Sequence, residues 1–330
     1  MKHFSEICKS LRLAVLLFVA GHSFNAPANP AGMTVSTGTA IAQQIGAQLN
    51  LTVSQLAVLH WNSFNISAGE TTSFLQPSAN SIVFNIIGGS NPSQVFGNLN
   101  ANGTVILANA NGFYFGPNSM IKVGGSFIAT TAPLAPDLGS GGMWQFTGMP
   151  PLASIVNYGQ IEVGRGRSLF LIAENIENHG SLNAPGGSVQ LAAGENVLVS
   201  DSPDGRGLSA TVQLPQGSVD NFGCISADAG TIALQAKVVN QDGIIQANSV
   251  QNQNGVIELV ASDHLNLGAN SKISAHGDDS SAGSSGGRVT LQSGNNFSDS
   301  VGSQIDVSGG AQGGNGGNVE ISAPNILSLN

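Results

Sequence analysis

Charge is what this chain has least of. Asp, Glu, Lys and Arg make up 9% of its 330 residues, whereas soluble domains carry about 25%. The chain is nonetheless 41% hydrophobic, which excludes disorder, because disordered chains are charge-rich and apolar-poor. Basic residues number 10 against 19 acidic ones, and no basic cluster follows the first residues. A nucleic-acid partner needs a basic patch or stripe, so that class is excluded. The two cysteines, Cys8 and Cys224, are too few for a disulfide-stapled scaffold. Cys224 sits in the alternating stretch NFGCISA and reads as a small buried apolar residue. Beyond the N-terminus no apolar run approaches the ~18 residues of a membrane-spanning helix. The six histidines lack the spacing of zinc ligands. GGAQGGNGGN lacks the recurring Asp of calcium-binding nonapeptide repeats. No metal and no other cofactor is therefore expected.

Glycine fills 44 positions, and Val, Ile, Ser, Thr and Asn are common, which favours strands over helices. The N-terminus is different. Lys2, Lys9 and Arg12 precede the apolar run Leu13–Ala20, and Ala26-Pro27-Ala28 follows as an A-x-A site. That order predicts a signal peptide over residues 1–28 and export from the cytoplasm.

From residue 33 to 130 the pattern is short alternating strands bounded by Gly, Asn or Pro. Strands are predicted at Leu49–Val53, Thr72–Leu75, Ser81–Ile87, Thr104–Asn109, Gly112–Phe115, Met120–Val123 and Ser126–Thr130. Asn102-Gly103 and Asn111-Gly112 supply tight turns. Residues 134–151 are rich in Pro and Gly and read as a boundary, or as an excursion from one continuous fold.

Repeats follow. NYGQIEV, NHGSLNA, NFGCISA and DGIIQA form one series; GGSVQLAA, AGTIALQA, NGVIELVA, GGRVTLQS and GGNVEISA form a second. The first recurs at about 20 residues where uninterrupted, the period of stacked β-coils. Between Asn178 and Asn221 the spacing implies an insertion or a degenerate turn. Stacking puts Ile161, Leu182, Ile225 and Ile245 in one inner column, with strands ~4.8 Å apart. Stacked Asn side chains can bond along the axis. The expected fold is all-β: a right-handed parallel β-helix, a single-stranded solenoid of the pectin-lyase-like type. Residues 29–66 form an N-terminal cap, and short hairpins stand outside the coils. Residues 152–330 read as a repeat shaft that ends mid-pattern.

With these segments in view, the chain resembles the two-partner secretion domain of filamentous haemagglutinin-like proteins, the haemagglutination activity domain family. The likeness covers roughly residues 30–133. It rests on GMTVSTGTA, WNSFNI, FLQPSANSIVFN, NPSQVFGNLNANGTVILANANGFYFG and VGGSFIATTA, in that order. Two departures stand out. The family's Asn-Pro-Asn-Gly turn has Ala110 in place of the proline, and Asn85-Ile86-Ile87 stands where relatives often carry Asn-Arg-Val.

The resemblance implies export through the periplasm. Periplasmic repeats of a dedicated outer-membrane β-barrel transporter recognise the domain, by strand addition, and the chain folds outside the cell. The product is then a secreted or surface adhesin of a Gram-negative-type bacterium, a non-enzyme whose targets include host or neighbour-cell glycans. The secretion-motif residues are then Asn109, Ala110, Asn111 and Gly112, with Trp61, Asn65 and Asn85. The same turn can equally nucleate the fold. Trp61 reads as core or cap packing. Asn65 and Asn85 either satisfy buried turn backbone or belong to the recognised edge.

Two other classes compete. A carbohydrate-active β-helix enzyme would need convergent carboxylates with cationic partners. The best cluster is Asp201, Asp204 and Arg206, in turn-like SDSPDGRGLSA. A purely structural surface or matrix protein is the third reading. The Ser/Gly-rich stretch after Asp278 reads as a flexible excursion.

Overall fold

A computed structural model describes residues 29–133, 143–202, 205 and 207–328. The expected signal peptide lies outside the described residues, as do residues 134–142. Every element in the described residues is a strand. Three sheets result, of 18, 11 and 3 strands. The first two are parallel along almost their whole length and wind into one β-helix.

A coil is a set of short strands joined by tight corners. Phe113–Phe115, Met120–Val123 and Phe127–Thr130 make one coil. Ser154–Asn157, Gln160–Val163 and Ser168–Ala173 lie on it in parallel register. Thr231–Gln241 and Val256–Leu267 run on around a corner, with a register break between Ala236 and Val238, and so join two walls into the 18-stranded sheet.

The predicted inner column is present. Ile161 pairs with Leu182, Leu182 with Ile225, and Ile225 with Ile245. All four are buried within a single core that extends from Leu49 to Phe297. Each such side chain contributes about 1.5–3 kcal/mol by leaving water, and none could do so on a lone coil.

Asparagines at the corners bond along the axis, as the NxG repeats suggested. Asn157 Nδ2 donates to Asn178 Oδ1 at 2.8 Å, and Asn178 Nδ2 to Asn221 Oδ1 at 2.8 Å. Asn221 Nδ2 donates to Gln241 Oε1 at 2.7 Å. All four side chains are buried, so the ladder satisfies amides that would otherwise be costly. The glycine two residues after each asparagine allows backbones to touch. A Cβ on Gly180 would collide with the Gly159 carbonyl oxygen.

The cap is shorter than the sequence suggested. Only Thr34–Thr37 and Ala40–Ile45 pair antiparallel, against Leu56–Trp61 and Gln48–Val53. These last two already lie parallel to the next coil. The hairpin covers the open end of the coils, where unpaired backbone would recruit other chains.

Of the two readings of residues 134–151, the described part, from residue 143, matches the excursion. Trp144–Thr147 is a strand of the 3-stranded sheet, antiparallel to Asn196–Asp201, which pairs with Leu208–Val212. This sheet stands outside the coils. Its Trp144, Phe146, Val197 and Val199 cover Ile106, Ile128 and Phe170, which point outward from the wall. That second core explains why Thr104–Asn109, Phe127–Thr130 and Ser168–Ala173 are buried on both faces. Gln190 and Gln235 bind the added sheet to the wall, accepting from Ala210 N and Val212 N.

The loop after Asp278 is pinned, contrary to the flexible excursion expected. The Asp278 carboxylate accepts from Gln251 N at 3.0 Å and from the Ser280 and Ser281 hydroxyls. Ser284 Oγ donates back to Gln251 O at 2.8 Å.

Candidate recognition site

The turn Asn109-Ala110-Asn111-Gly112 closes the strand Thr104–Asn109. Gly112 N donates to Asn109 O at 3.0 Å, which makes it a β-turn. The Asn109 side chain organises it twice. Its Oδ1 accepts from Asn111 N at 2.9 Å and Asn111 Nδ2 at 3.0 Å. Its Nδ2 donates to Asn91 O at 3.1 Å and Ser93 Oγ at 2.9 Å. Asn111 Nδ2 also donates to Gly89 O at 2.7 Å. The turn is thereby fastened to residues 89–93 of the coil beneath. Gly112 has φ of 100°, a conformation that L side chains rarely adopt. A Cβ there would strike the Ser154 carbonyl.

Trp61 and Asn85 form a second connection. They occupy neighbouring parallel strands, Leu56–Trp61 and Ile82–Ile87. Trp61 Nε1 donates to Asn85 Oδ1 at 2.9 Å, and Asn85 Nδ2 to Ile106 O at 3.2 Å. The link spans three coils. Trp61 also meets Phe64 edge-on, with centroids 5.6 Å apart. Asn85 lies within a strand, so the backbone it satisfies belongs to the wall and not to a turn.

Asn65 Oδ1 accepts from Gln94 N at 2.8 Å, and Ile66 N donates to Gln94 O at 3.0 Å. Residues 62–65 and 89–92 border a cavity of about 240 Å³. The motif residues therefore converge on one corner of the first coils. Trp61, Asn85, Asn109 and Gly112 are buried, whereas Asn65, Ala110 and Asn111 are half-buried. Sequence reasoning missed the receiving loop, Gly89, Asn91, Ser93 and Gln94. Its signal was GGSNPSQ, which reads as an ordinary turn.

The competing enzymatic cluster gains nothing from the geometry. Asp201 is exposed at the end of Asn196–Asp201, and Asp204 and Arg206 lie outside the described residues. Among the described residues no group of three or more His, Cys, Asp or Glu is placed to hold a metal ion.

Comparison with known proteins bears on the chain and its coils as a whole. The TPS (two-partner) secretion domain model matches residues 25–273. A heme/hemopexin-binding protein of Haemophilus influenzae strain Rd is 32% identical over 71% of this chain and 27% of its own length. A second Haemophilus influenzae heme/hemopexin-binding protein is 28% identical, over 67% of this chain and 26% of its own. This chain thus spans about a quarter of the length of these curated relatives. The crystal structure of the HMW1 secretion domain from Haemophilus influenzae superposes with a TM-score of 0.75. It is 27% identical, over 92% of this chain and 97% of that one. Proteins with such a domain are secreted or cell-surface exoproteins of Gram-negative bacteria, exported via the periplasm with a partner outer-membrane transporter. A signal-like start, parallel coils and a match over residues 25–273 lead to one conclusion: the chain belongs to the two-partner secretion domain family.

Proposed function

We propose that this chain directs the export of an adhesive, non-enzymatic surface protein, and that its transporter reads the secretion motif before the chain folds. One observation carries the reading. The Asn85 and Asn109 side chains are fully buried, and their amides are committed to Trp61, Ile106, Asn91 and Ser93. A periplasmic receptor can touch them only in an extended chain. There the transporter's periplasmic repeats take up residues 61–112 by strand addition, with backbone bonds giving affinity and alternate side chains specificity. Outside the cell the same asparagines close the first coils. Residues 29–133 carry the export function, and residues 152–330 stack on them as a shaft. Surface glycans of host or neighbouring cells are the proposed adhesion targets.

The test is secretion of the full chain with and without its transporter. Transporter-dependent release is expected. Equal release without the transporter would overturn the export reading.

A further inference from the structure

The chain contains two tyrosines, and the fold makes them neighbours. Tyr114 lies in the middle of Phe113–Phe115. Tyr158 follows Ser154–Asn157 in the next coil, where Phe115 pairs with Asn157. Their ring centroids are 5.8 Å apart with planes inclined by 41°. Both rings are half-buried on the outer surface.

A column of rings holds the pair in place. Phe96 lies 5.7 Å below Tyr114. His179 stacks flat on Tyr158 at 4.4 Å, and Phe222 on His179 at 5.0 Å. The His179 ring is itself fixed by the Glu177 carboxylate. The rung that faces Tyr158 across the coils is Gly116, and a Cβ there would collide with the Phe96 ring. The missing side chain at Gly116 leaves its place to the Phe96 ring, and Tyr114 lies against both Phe96 and Tyr158. Neither ring needs to search for the other, and such preorganisation replaces an encounter between molecules.

We propose that Tyr114 and Tyr158 are an oxidative cross-linking site that forms a dityrosine bond when the protein meets a haem peroxidase and hydrogen peroxide. Each phenol gives one electron and one proton to the oxidant. The two phenoxyl radicals then join at their ortho carbons. The ortho hydrogens leave carbon as the rings regain aromaticity, and both phenolic oxygens are again protonated. Peroxide becomes two waters, and the chain loses two hydrogen atoms. Burial holds both phenols above their ordinary range, with Glu177 adding to the effect at Tyr158. Both phenols therefore enter the reaction protonated, and each proton leaves on oxidation. The bond would tie the coils on either side of residues 134–142, constraining the unfolded chain as a disulfide does.

The test treats the full secreted chain with a haem peroxidase and peroxide, alongside Tyr114→Phe and Tyr158→Phe. Both variants keep the ring, and circular dichroism checks their fold. The expected product is a monomer lighter by two hydrogens, with dityrosine fluorescence and one peptide pair joining residues 114 and 158. Each variant should show none of these. Because the chain has two tyrosines, an intramolecular dityrosine can only be this pair. Dityrosine found solely in dimers, or none while free tyrosine couples in the same mixture, would overturn the proposal.

Discussion

Trp61 donates its indole N–H to the side-chain oxygen of Asn85 at 2.9 Å inside the wall of the first coils. Asn85 passes the connection on to the Ile106 carbonyl at 3.2 Å. Replacing Asn85 by Leu leaves both groups buried without this partner, each costing about 1–3 kcal/mol. The expected result is a lower urea midpoint with the slope unchanged. Trp61→Phe combined with Asn85→Leu should cost less than the two changes added, since each then removes the other's unpaired group.

Ala110 occupies the second position of a β-turn, where proline fits best. Gly112 N closes that turn on Asn109 O. Ala110→Pro should therefore stabilise the protein by about 0.4–1 kcal/mol by restricting the unfolded chain, read as a higher melting temperature. Gly112→Ala should act in the opposite direction by about 1–3 kcal/mol, because φ is 100° there.

The asparagine ladder gives a third prediction. Asn178 sits between Asn157 and Asn221 and bonds to both. Asn178→Leu should destabilise by upwards of ~2 kcal/mol, since it removes the acceptor of Asn157 Nδ2 and the donor to Asn221 Oδ1, both buried. Gln241→Leu, at the other end of the same ladder, interrupts one link of it and should cost less. Chemical denaturation of the two variants makes the comparison.

Acid should loosen the loop after residue 278. Hydrogen bonds from Ser280, Gln251 and Ser281 hold the Asp278 carboxyl far below its ordinary range. Asp279 is also lowered, first by its bond to His276. A carboxyl depressed in the folded state stabilises it above the ordinary carboxylate range, and that contribution is lost as pH falls toward the folded value. Hydrogen-exchange protection across residues 278–286, taken relative to the intrinsic rate at each pH, should therefore fall as pH drops below about 4, while the inner column stays protected.

Much of this architecture was readable in the residues. Ile161, Leu182, Ile225 and Ile245 announced the inner column because a period near 20 places equivalent positions one above another. The asparagine before each glycine announced the ladder. The second core did not show itself. Ile106, Ile128 and Phe170 face outward, and what covers them comes from Trp144–Thr147 and from the insertion before Asn221. Such long-range pairing leaves no local period in the sequence. At the corner proposed for recognition, Asn109, Asn111 and Gly112 were legible as turn chemistry. Their partners Gly89 and Asn91 were not, because they contribute backbone carbonyls, which no side-chain pattern encodes.

A motif read before folding and buried afterwards would be open to the transporter in only one state of the chain. The measurement that tests it most directly is binding of the transporter's periplasmic region to the full chain, once kept unfolded in urea low enough to leave that region intact, and once refolded. Binding to the unfolded chain is expected, lost on folding and weakened by Asn109→Ala. Equal binding to the folded chain would contradict it.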